Sequence, residues 1–133
     1  DTVIEAVRQK ADTYIYTNPL SVADCAAATT ALTICDSNEG RTLLASLKQR
    51  TTHFRDGLNK LGLESIPGPH PVVPLLVRDT KKTRKLVHNL FEAGILVVGL
   101  TFPVVPKGNE SIRFQINAAH TKADIDYVLG VLA

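Results

Sequence analysis

The sequence predicts an α/β domain: a small sheet of about three strands, covered on one face by helices and preceded by long helices. Three observations support this fold class. Helical periodicity dominates the first half, two short apolar runs bounded by proline or glycine follow, and an alternating segment lies near the C-terminus. The elements run as helices and then strand, helix, strand, strand, helix, and a small sheet with helices on one face can bury them.

The first helices are short or unusually apolar. Residues 2–10 place apolar side chains on one side of a short helix. Residues 13–17, TYIYT, form a β-prone run that ends at Asn18-Pro19, because proline disfavours helical backbone at the residue before it. Residues 21–34 are nearly all small and apolar, and a helix that is apolar most of the way round is expected to be buried.

A long helix is predicted for residues 39–61. Apolar side chains recur there at three- and four-residue steps, which places them on one inward face. They are Leu43, Leu44, Leu47, Phe54, Leu58 and Leu61. Gly62 occupies the position where many helices end in a left-handed residue. The prolines of residues 66–71 then predict a loop.

A strand and a helix follow this loop. Residues 72–77 are predicted to form a strand that is either at the edge of the sheet or bulged, because Pro74 has no amide hydrogen for the ladder. A helix capped by Asp79 or Thr80 is expected to reach residue 93. Its inward side chains should be Leu86, Leu90 and Phe91, with Gly94 ending it.

The C-terminal part is predicted to add two strands and a helix. Residues 95–98 form the second strand, and a proline-rich loop leads to the third at residues 111–116. There the apolar Ile112, Phe114 and Ile116 alternate with Ser111, Arg113 and Gln115. Thr121 with Asp124 three residues later predicts a capping box that opens the last helix. We treat residues 1–133 as a single small domain, with residues 1–36 as a linking segment.

Composition excludes several classes of function. The formal net charge of +2 is too small to favour a nucleic acid or an anionic membrane as partner, and no apolar run is long enough to cross a bilayer. Cys25 and Cys35 lie in one predicted helix, roughly 15 Å apart, whereas a disulfide needs Cα atoms within about 7 Å. We therefore expect two unpaired, buried thiols and a cytoplasmic protein.

Arg113 is the residue that stands out for chemistry. An arginine between apolar strand residues most often just faces solvent, but a guanidinium on a rigid strand also suits a carboxylate, which it holds through two parallel hydrogen bonds. None of the four histidines has metal-ligand spacing or a partner for a catalytic triad. The residues alone thus suggest one carboxylate-binding arginine and no nucleophile.

Four segments carry a resemblance to a known family. PVVPKG with IRFQINAAHT, at residues 103–108 and 112–121, resembles the C-terminal region of the α-oxoamine synthases, most closely their glycine C-acetyltransferase branch. YIYTNPL, HPVVPLLVRD and GILVVGLTFPVVPKG resemble further segments of that family, in the right order along the chain. Four modest segments in order and at the right spacing are together quite specific.

The resemblance implies a fold-type-I enzyme that depends on pyridoxal 5'-phosphate (PLP). It implies a homodimer that condenses an amino acid with an acyl-coenzyme A. In that family the arginine matching Arg113 binds the substrate carboxylate. The segment matching Thr17 and Asn18 approaches the cofactor phosphate of the other subunit. Pro19 departs from the pattern, since the family often has serine there.

The resemblance also implies that part of the active site lies elsewhere. The cofactor lysine is expected some 30 residues before the Tyr16 segment, hence before Asp1. Lys10, Lys48 and Lys60 do not have the sequence context expected for it. We expect the 133 residues alone to be inactive. Two other hypotheses stay open at this point. One is a class I/II aminotransferase, which also uses a C-terminal arginine; the other is a binding module that reuses the domain without catalysis.

Overall fold

The computed structural model describes all 133 residues and divides them into two compact units, Asp1–Ser37 and Asn38–Ala133. The first unit contains helix α1 (Thr2–Lys10), a 3-10 helix (Asp12–Tyr16) and helix α2 (Val22–Cys35). Helix α1 has the predicted bounds, and Asp1 caps it by accepting a hydrogen bond from the amide of Val3. None of the helices in the chain is both long enough and apolar enough to span a membrane.

The β-prone run at residues 13–17 does not form a strand, and only its last residue, Thr17, has extended backbone. Its first four residues lie in the 3-10 helix, where the Tyr14 amide donates to the Ala11 carbonyl, and the Thr17 hydroxyl donates back to the Thr13 carbonyl. A lone extended segment would leave its backbone groups without partners. Because no neighbouring strand exists in this unit, the local turn supplies the hydrogen bonds instead.

Helix α2 was expected to be buried, and within this chain it is not: none of its residues is buried. Both cysteines lie on it and are exposed and unpaired, so they are free thiols, as predicted, but not core residues. A capping box between Ser21 and Asp24 fixes its start. The helix is therefore held by its cap and its alanine-rich composition rather than by packing.

The second unit has the predicted fold class, a small sheet with helices on one face. Its elements are α3 (Asn38–Lys60), β1 (Val72–Leu76), α4 (Thr80–Glu92), β2 (Val98–Leu100), β3 (Ser111–Gln115) and α5 (Lys122–Leu132). The strand order is β1-β3-β2, and both pairings are antiparallel. The sheet therefore has β3 in the middle and β1 at an edge, which is one of the two arrangements expected for a strand that contains Pro74.

One face of the sheet forms the core. From the strands, Val73, Leu75, Ile112 and Phe114 are buried, and they meet the buried Phe54, Leu58, Leu90 and Ile125 of the three helices. The rings of Phe54 and Phe114 lie 5.1 Å apart between centroids. The opposite face carries the alternate residues of each strand, most of them partly or fully exposed. The alternation of β3 thus sorts its side chains between core and solvent.

Both glycine-terminated helices end as predicted. After α3, Gly62 has φ +69° and Leu63 donates to the Leu58 carbonyl; after α4, Gly94 has φ +75° and Ile95 donates to the Leu90 carbonyl. Each is a Schellman closure, which needs a left-handed residue.

The second closure explains why strand β2 is shifted from the predicted 95–98 to Val98–Leu100. The Ile95 amide is used in ending α4, so the chain reaches the β3 ladder only at Val98, opposite Arg113. The apolar run correctly predicted a strand, but the partner strand decides where pairing begins.

Several apolar side chains that were expected to face inward are exposed. Leu43, Leu44 and Leu61 of the long-helix region are more than a third exposed, and Phe91 on α4 is 63% exposed. Leu58 and Leu90 are fully buried. The periodicity predicted the helices correctly, but it gave each a wider apolar face than the sheet and neighbouring helices cover.

The C-terminal helix begins at the predicted capping box, in which Thr121 and Asp124 exchange hydrogen bonds. It packs against α3 at Gly57, where a Cβ atom would lie 2.3 Å from a methyl carbon of Leu129. The absence of a side chain at Gly57 therefore lets the two helices approach closely.

We predict that Gly57→Val lowers the free energy of unfolding by about 1–3 kcal/mol, because added carbons overpack this contact. Gly130→Ala is the matched control, since a Cβ there meets nothing within 4 Å and alanine favours helix. Urea unfolding followed by circular dichroism measures both. Equal stability of Gly57→Val and the wild type would contradict the close contact.

Candidate functional site

Arg113 lies in the middle of the middle strand. Its backbone is paired with Pro74 of β1 on one side and with Val98 of β2 on the other. Its side chain is exposed, on the face opposite the buried Ile112 and Phe114. The guanidinium makes no hydrogen bond and no ion pair within the chain. All its donors are therefore available to a ligand.

The surroundings of Arg113 favour binding of an anion. Among the residues of the three strands, VVPLL, VGL and SIRFQ, it is the only charged one. No carboxylate of the sheet competes for it, and its strand neighbours Pro74 and Val98 are apolar. Its backbone is held on both sides by strands, so the side chain starts from a rigid base. A single unpaired guanidinium on such a base suits bidentate contact with a carboxylate.

Glu110, which directly precedes β3, is buried at 2% exposure. One carboxylate oxygen accepts a hydrogen bond from the Thr80 hydroxyl (2.9 Å) and the other accepts one from the Gly108 amide (2.8 Å). Hydrogen bonds from its own backbone amide, then from Thr80 and Gly108, hold the pKa of Glu110 below its ordinary value, against burial and the nearby Asp79, which raise it. The carboxylate is thus ionised and fully engaged at neutral pH.

The carbonyl of Glu110 holds a second segment. It accepts hydrogen bonds from the amides of Val77 and Arg78, both at 2.9 Å, where the chain leaves β1. Arg78 has φ +62° there, and its side chain makes a bidentate ion pair with Glu64. The hydrogen bond with Arg78 lowers the pKa of Glu64. These contacts fix a left-handed residue at the turn into α4.

Thr17 and Asn18 lie in the first unit, just after the 3-10 helix. The Thr17 hydroxyl already donates to the Thr13 carbonyl at 2.9 Å, and its amide donates to Tyr14. Asn18 is exposed and its side-chain amide has no partner. Asn18 is therefore the free donor of this pair, and Thr17 would have to turn its hydroxyl away from Thr13 to reach a phosphate.

Two of the histidines, His53 and His120, take part in hydrogen bonds that link parts of the fold. His53 on α3 lies 2.5 Å from Asp126 on α5, and Lys122 lies 2.6 Å from the other oxygen of Asp126. Hydrogen bonds from Lys122 and then from His53 lower the pKa of Asp126. Near the last helix, His120 accepts a hydrogen bond from the amide of Asn117. No group of three or more His, Cys, Asp or Glu side chains is placed to hold a metal ion.

A cavity of about 330 Å³ opens at the far end of β3, beside α5. Buried core side chains such as Phe54, Phe114 and Ile125 line it. It thus lies on the helix-covered side of the sheet, whereas Arg113 is exposed on the other side. The cavity is therefore separate from the arginine site, and Arg113 does not line it.

Comparison with known proteins decides the family. The family model described as "Aminotransferase class I and II" matches residues 1–132. The chain belongs to the aminotransferase class I and II family. It is 35% identical to the 8-amino-7-oxononanoate synthase of Thermosipho melanesiensis over 127 residues, which cover 96% of the chain. It is 32% identical to the mitochondrial 2-amino-3-ketobutyrate coenzyme A ligase of Homo sapiens over 124 residues, or 93% of the chain.

Solved structures give the same fold. A serine palmitoyltransferase variant from S. paucimobilis with a bound PLP–myriocin aldimine superposes with a TM-score of 0.85 at 26% identity, over 98% of this chain. The 8-amino-7-oxononanoate synthase of Francisella tularensis superposes with a TM-score of 0.75 at 24% identity, over 99% of this chain, and supports the fold alone. These proteins are PLP-dependent α-oxoamine synthases, and the fold is that of fold-type-I enzymes. The predicted family and its cofactor are confirmed.

The chain spans about one third of the length of these relatives. The matched segment covers 32% of the Thermosipho synthase, 29% of the human ligase and 33% of the palmitoyltransferase chain.

Thr17 and Asn18 carry donor groups that suit the phosphate of PLP. Asn18 offers an unpaired amide donor that suits a phosphate oxygen, and Thr17 offers a hydroxyl that is engaged locally. A phosphate needs several such donors, and a covalent site needs a lysine. Thr17 and Asn18 can thus complement a phosphate site but cannot form one alone.

The sequence did not predict the hydrogen bond between Thr80 and the buried Glu110. Their hydrogen bond joins residues that are 30 positions apart, so no local spacing points to it. The available signal was a carboxylate directly before an alternating strand, in the loop PKGNES. Because a glutamate in a loop is usually solvated, its position in the sequence did not predict burial.

We predict that the contribution of Glu110 to stability is lost in acid. Its pKa is lower when folded than the ordinary 4.5, so the contribution is full above that value and falls as the pH drops through the folded pKa. Glu110→Gln removes this titration. The stability difference between wild type and Glu110→Gln should therefore shrink between pH 6 and about pH 3, as measured by urea unfolding.

Glu92→Gln is the control, because Glu92 is an exposed carboxylate without a partner. Its profile should follow that of the wild type throughout. If Glu110→Gln and Glu92→Gln gave the same difference at every pH, the hydrogen-bonded state of Glu110 would be wrong.

Proposed function

We propose that this chain is the C-terminal, substrate-binding domain of a PLP-dependent acyl-coenzyme A:amino acid C-acyltransferase, with the cofactor lysine outside the 133 residues. The single observation that carries the proposal is Arg113, an unpaired guanidinium held by two neighbouring strands on an open, otherwise uncharged sheet face. Membership of a PLP-dependent family with α-oxoamine synthase relatives supplies the reaction class.

Arg113 binds the α-carboxylate of the amino acid in this proposal. Two parallel N–H groups of the guanidinium donate to the two carboxylate oxygens, which fixes both the position and the rotation of the substrate. When bound, PLP supplies the electron sink that stabilises negative charge on the α-carbon of the amino acid. The orientation that Arg113 gives to the substrate therefore determines which bond of the α-carbon is broken.

Thr17 and Asn18 complement the cofactor phosphate of a second subunit in this proposal. Exposed apolar side chains beside them, among them Tyr16 at 86% exposure, support a contact between chains. The proposal therefore includes a homodimer. The two free thiols, Cys25 and Cys35, support a reducing, cytoplasmic setting.

Glycine and acetyl-coenzyme A are the proposed substrates. The support is the resemblance of residues 103–108 and 112–121 to the glycine C-acetyltransferase branch, together with the human 2-amino-3-ketobutyrate coenzyme A ligase as a relative. An aminotransferase is the second candidate, because the matching family model bears that description. Release of coenzyme A from acetyl-coenzyme A with glycine tests the first, and transfer of an amino group to a 2-oxo acid without coenzyme A release tests the second.

We predict that Arg113→Ala raises the KM for the amino acid more than tenfold in the polypeptide that joins this domain to the cofactor lysine. Loss of a charge-assisted hydrogen-bonded pair costs about 1.5–3 kcal/mol, and each tenfold change corresponds to about 1.4 kcal/mol. Initial rates of coenzyme A release over a range of amino acid concentrations give KM and kcat.

Arg84→Ala is the matched control for charge, because Arg84 is an exposed, unpaired arginine on α4. It should leave the KM within twofold. Arg113→Lys keeps the charge without the planar fork and should recover only part of the affinity. An unchanged KM in Arg113→Ala would rule out the clamp.

We predict that the 133-residue chain alone gives no Schiff-base absorbance band with PLP beyond that of a peptide mixture of the same lysine content. The polypeptide with the cofactor lysine should give a saturable band with a defined stoichiometry. A saturable band in the 133-residue chain that disappears on substitution of one of its own lysines would overturn the placement of the cofactor lysine.

A further inference from the structure

Glu110 is the only acidic side chain that the fold buries, and it is buried without a cation. The other buried polar residues are Thr51, Thr83 and Ser111, all neutral. Neither oxygen of Glu110 takes part in an ion pair. Burial of a carboxylate is costly unless hydrogen bonds replace its water. An uncharged residue would fill the space at a lower desolvation cost, so packing alone does not explain a carboxylate at this position.

The hydrogen bonds of Glu110 join three segments at one point. The carboxylate holds the first residue of α4 through Thr80 and the last turn of loop 103–108 through Gly108. The carbonyl holds the exit of β1 through Val77 and Arg78. Removing the side chain releases the first two links and leaves the third, because the third uses the backbone alone.

Arg113 follows Glu110 by three residues and lies in the middle of β3. At about 3.3 Å per residue this is a separation of roughly 10 Å between Cα atoms. The intervening Ser111 and Ile112 are both buried and both paired, so the chain has little freedom between the two positions. A movement at Glu110 is therefore carried along the strand to the backbone of Arg113.

The guanidinium of Arg113 depends on its backbone for its position. It has no hydrogen bond or ion pair with another side chain. A strand that slips by one residue turns every side chain to the other face, which would direct Arg113 into the core. The pairing partners and the anchor at Glu110 are what hold the arginine on the open face.

We propose that Glu110 is a positioning residue for the substrate clamp: its carboxylate ties loop 103–108 and the start of β3 to α4 and so presents Arg113 at a fixed place. The inference rests on the proposed role of Arg113 as a carboxylate clamp. It adds a residue that contacts no substrate and acts through hydrogen-bond geometry rather than through its charge.

Four variants of the polypeptide that carries the domain and the cofactor lysine separate geometry from charge. Glu110→Ala removes both links. Glu110→Gln keeps them, since its carbonyl can accept from the Gly108 amide and its amide can donate to the Thr80 hydroxyl, which also accepts. Thr80→Val removes one link without touching the carboxylate, and Thr80→Ser retains the hydroxyl.

Initial rates give KM and kcat for the amino acid, and KM for the acyl-coenzyme A. We expect Glu110→Ala to raise the KM for the amino acid by about three- to tenfold with kcat within twofold, because a clamp displaced by a fraction of an ångström binds less well. Glu110→Gln and Thr80→Ser should stay near the wild type, and Thr80→Val should raise the same KM by a smaller factor. The KM for acyl-coenzyme A should not change.

The outcomes distinguish this inference from the proposed function. If Arg113→Ala raises the KM for the amino acid and neither Glu110→Ala nor Thr80→Val does, the positioning role is overturned and the clamp stands. If Arg113→Ala has no effect either, both fall. A merely structural role for Glu110 would lower kcat and active-site content together and leave the KM unchanged, and this also overturns the inference. If Glu110→Ala does not fold, Thr80→Val against Thr80→Ser decides.

Discussion

The second unit depends on the insertion of β3 between β1 and β2. Antiparallel pairing with β1 fixes the register of every residue from Ser111 to Gln115, and β2 pairs with the first three of them from the other side. The register sends Ile112 and Phe114 into the core, where they meet α3, α4 and α5, and it sends Arg113 to the open face. Packing and the candidate site are thus two sides of one strand, and a change in its alignment would disturb both together.

Local rules explain what the sequence predicted well. The box of Thr121 and Asp124 involves residues three positions apart, and the left-handed glycines after α3 and α4 follow directly from the need to close a helix. Arg113 could be selected because alternation alone separates the two faces of a strand. The family resemblance then supplied a role that the residues left open between a solvent-facing side chain and a carboxylate clamp.

Non-local contacts explain what the sequence did not predict. The start of β2 depends on how α4 ends and on where β2 pairs with β3. The sequence of residues 95–98 contains neither piece of information. Helix α2 is exposed although its composition is apolar. Apolar composition therefore predicts a tendency to be buried, but it does not identify the element that covers the helix. Glu110 escaped attention because its partner Thr80 is distant in sequence. In each case the deciding residue belongs to another element.

The anchor at Glu110 has a consequence for how the loop between β2 and β3 can vary. The start of β3 is tied to α4 and to the exit of β1, and only the link to Gly108 involves the loop. The residues between Leu100 and Gly108 are thus freed from setting the register. Insertions and deletions there can reshape the loop while Arg113 keeps its side of the sheet, so the loop can diversify in length and composition without loss of the strand that carries the arginine.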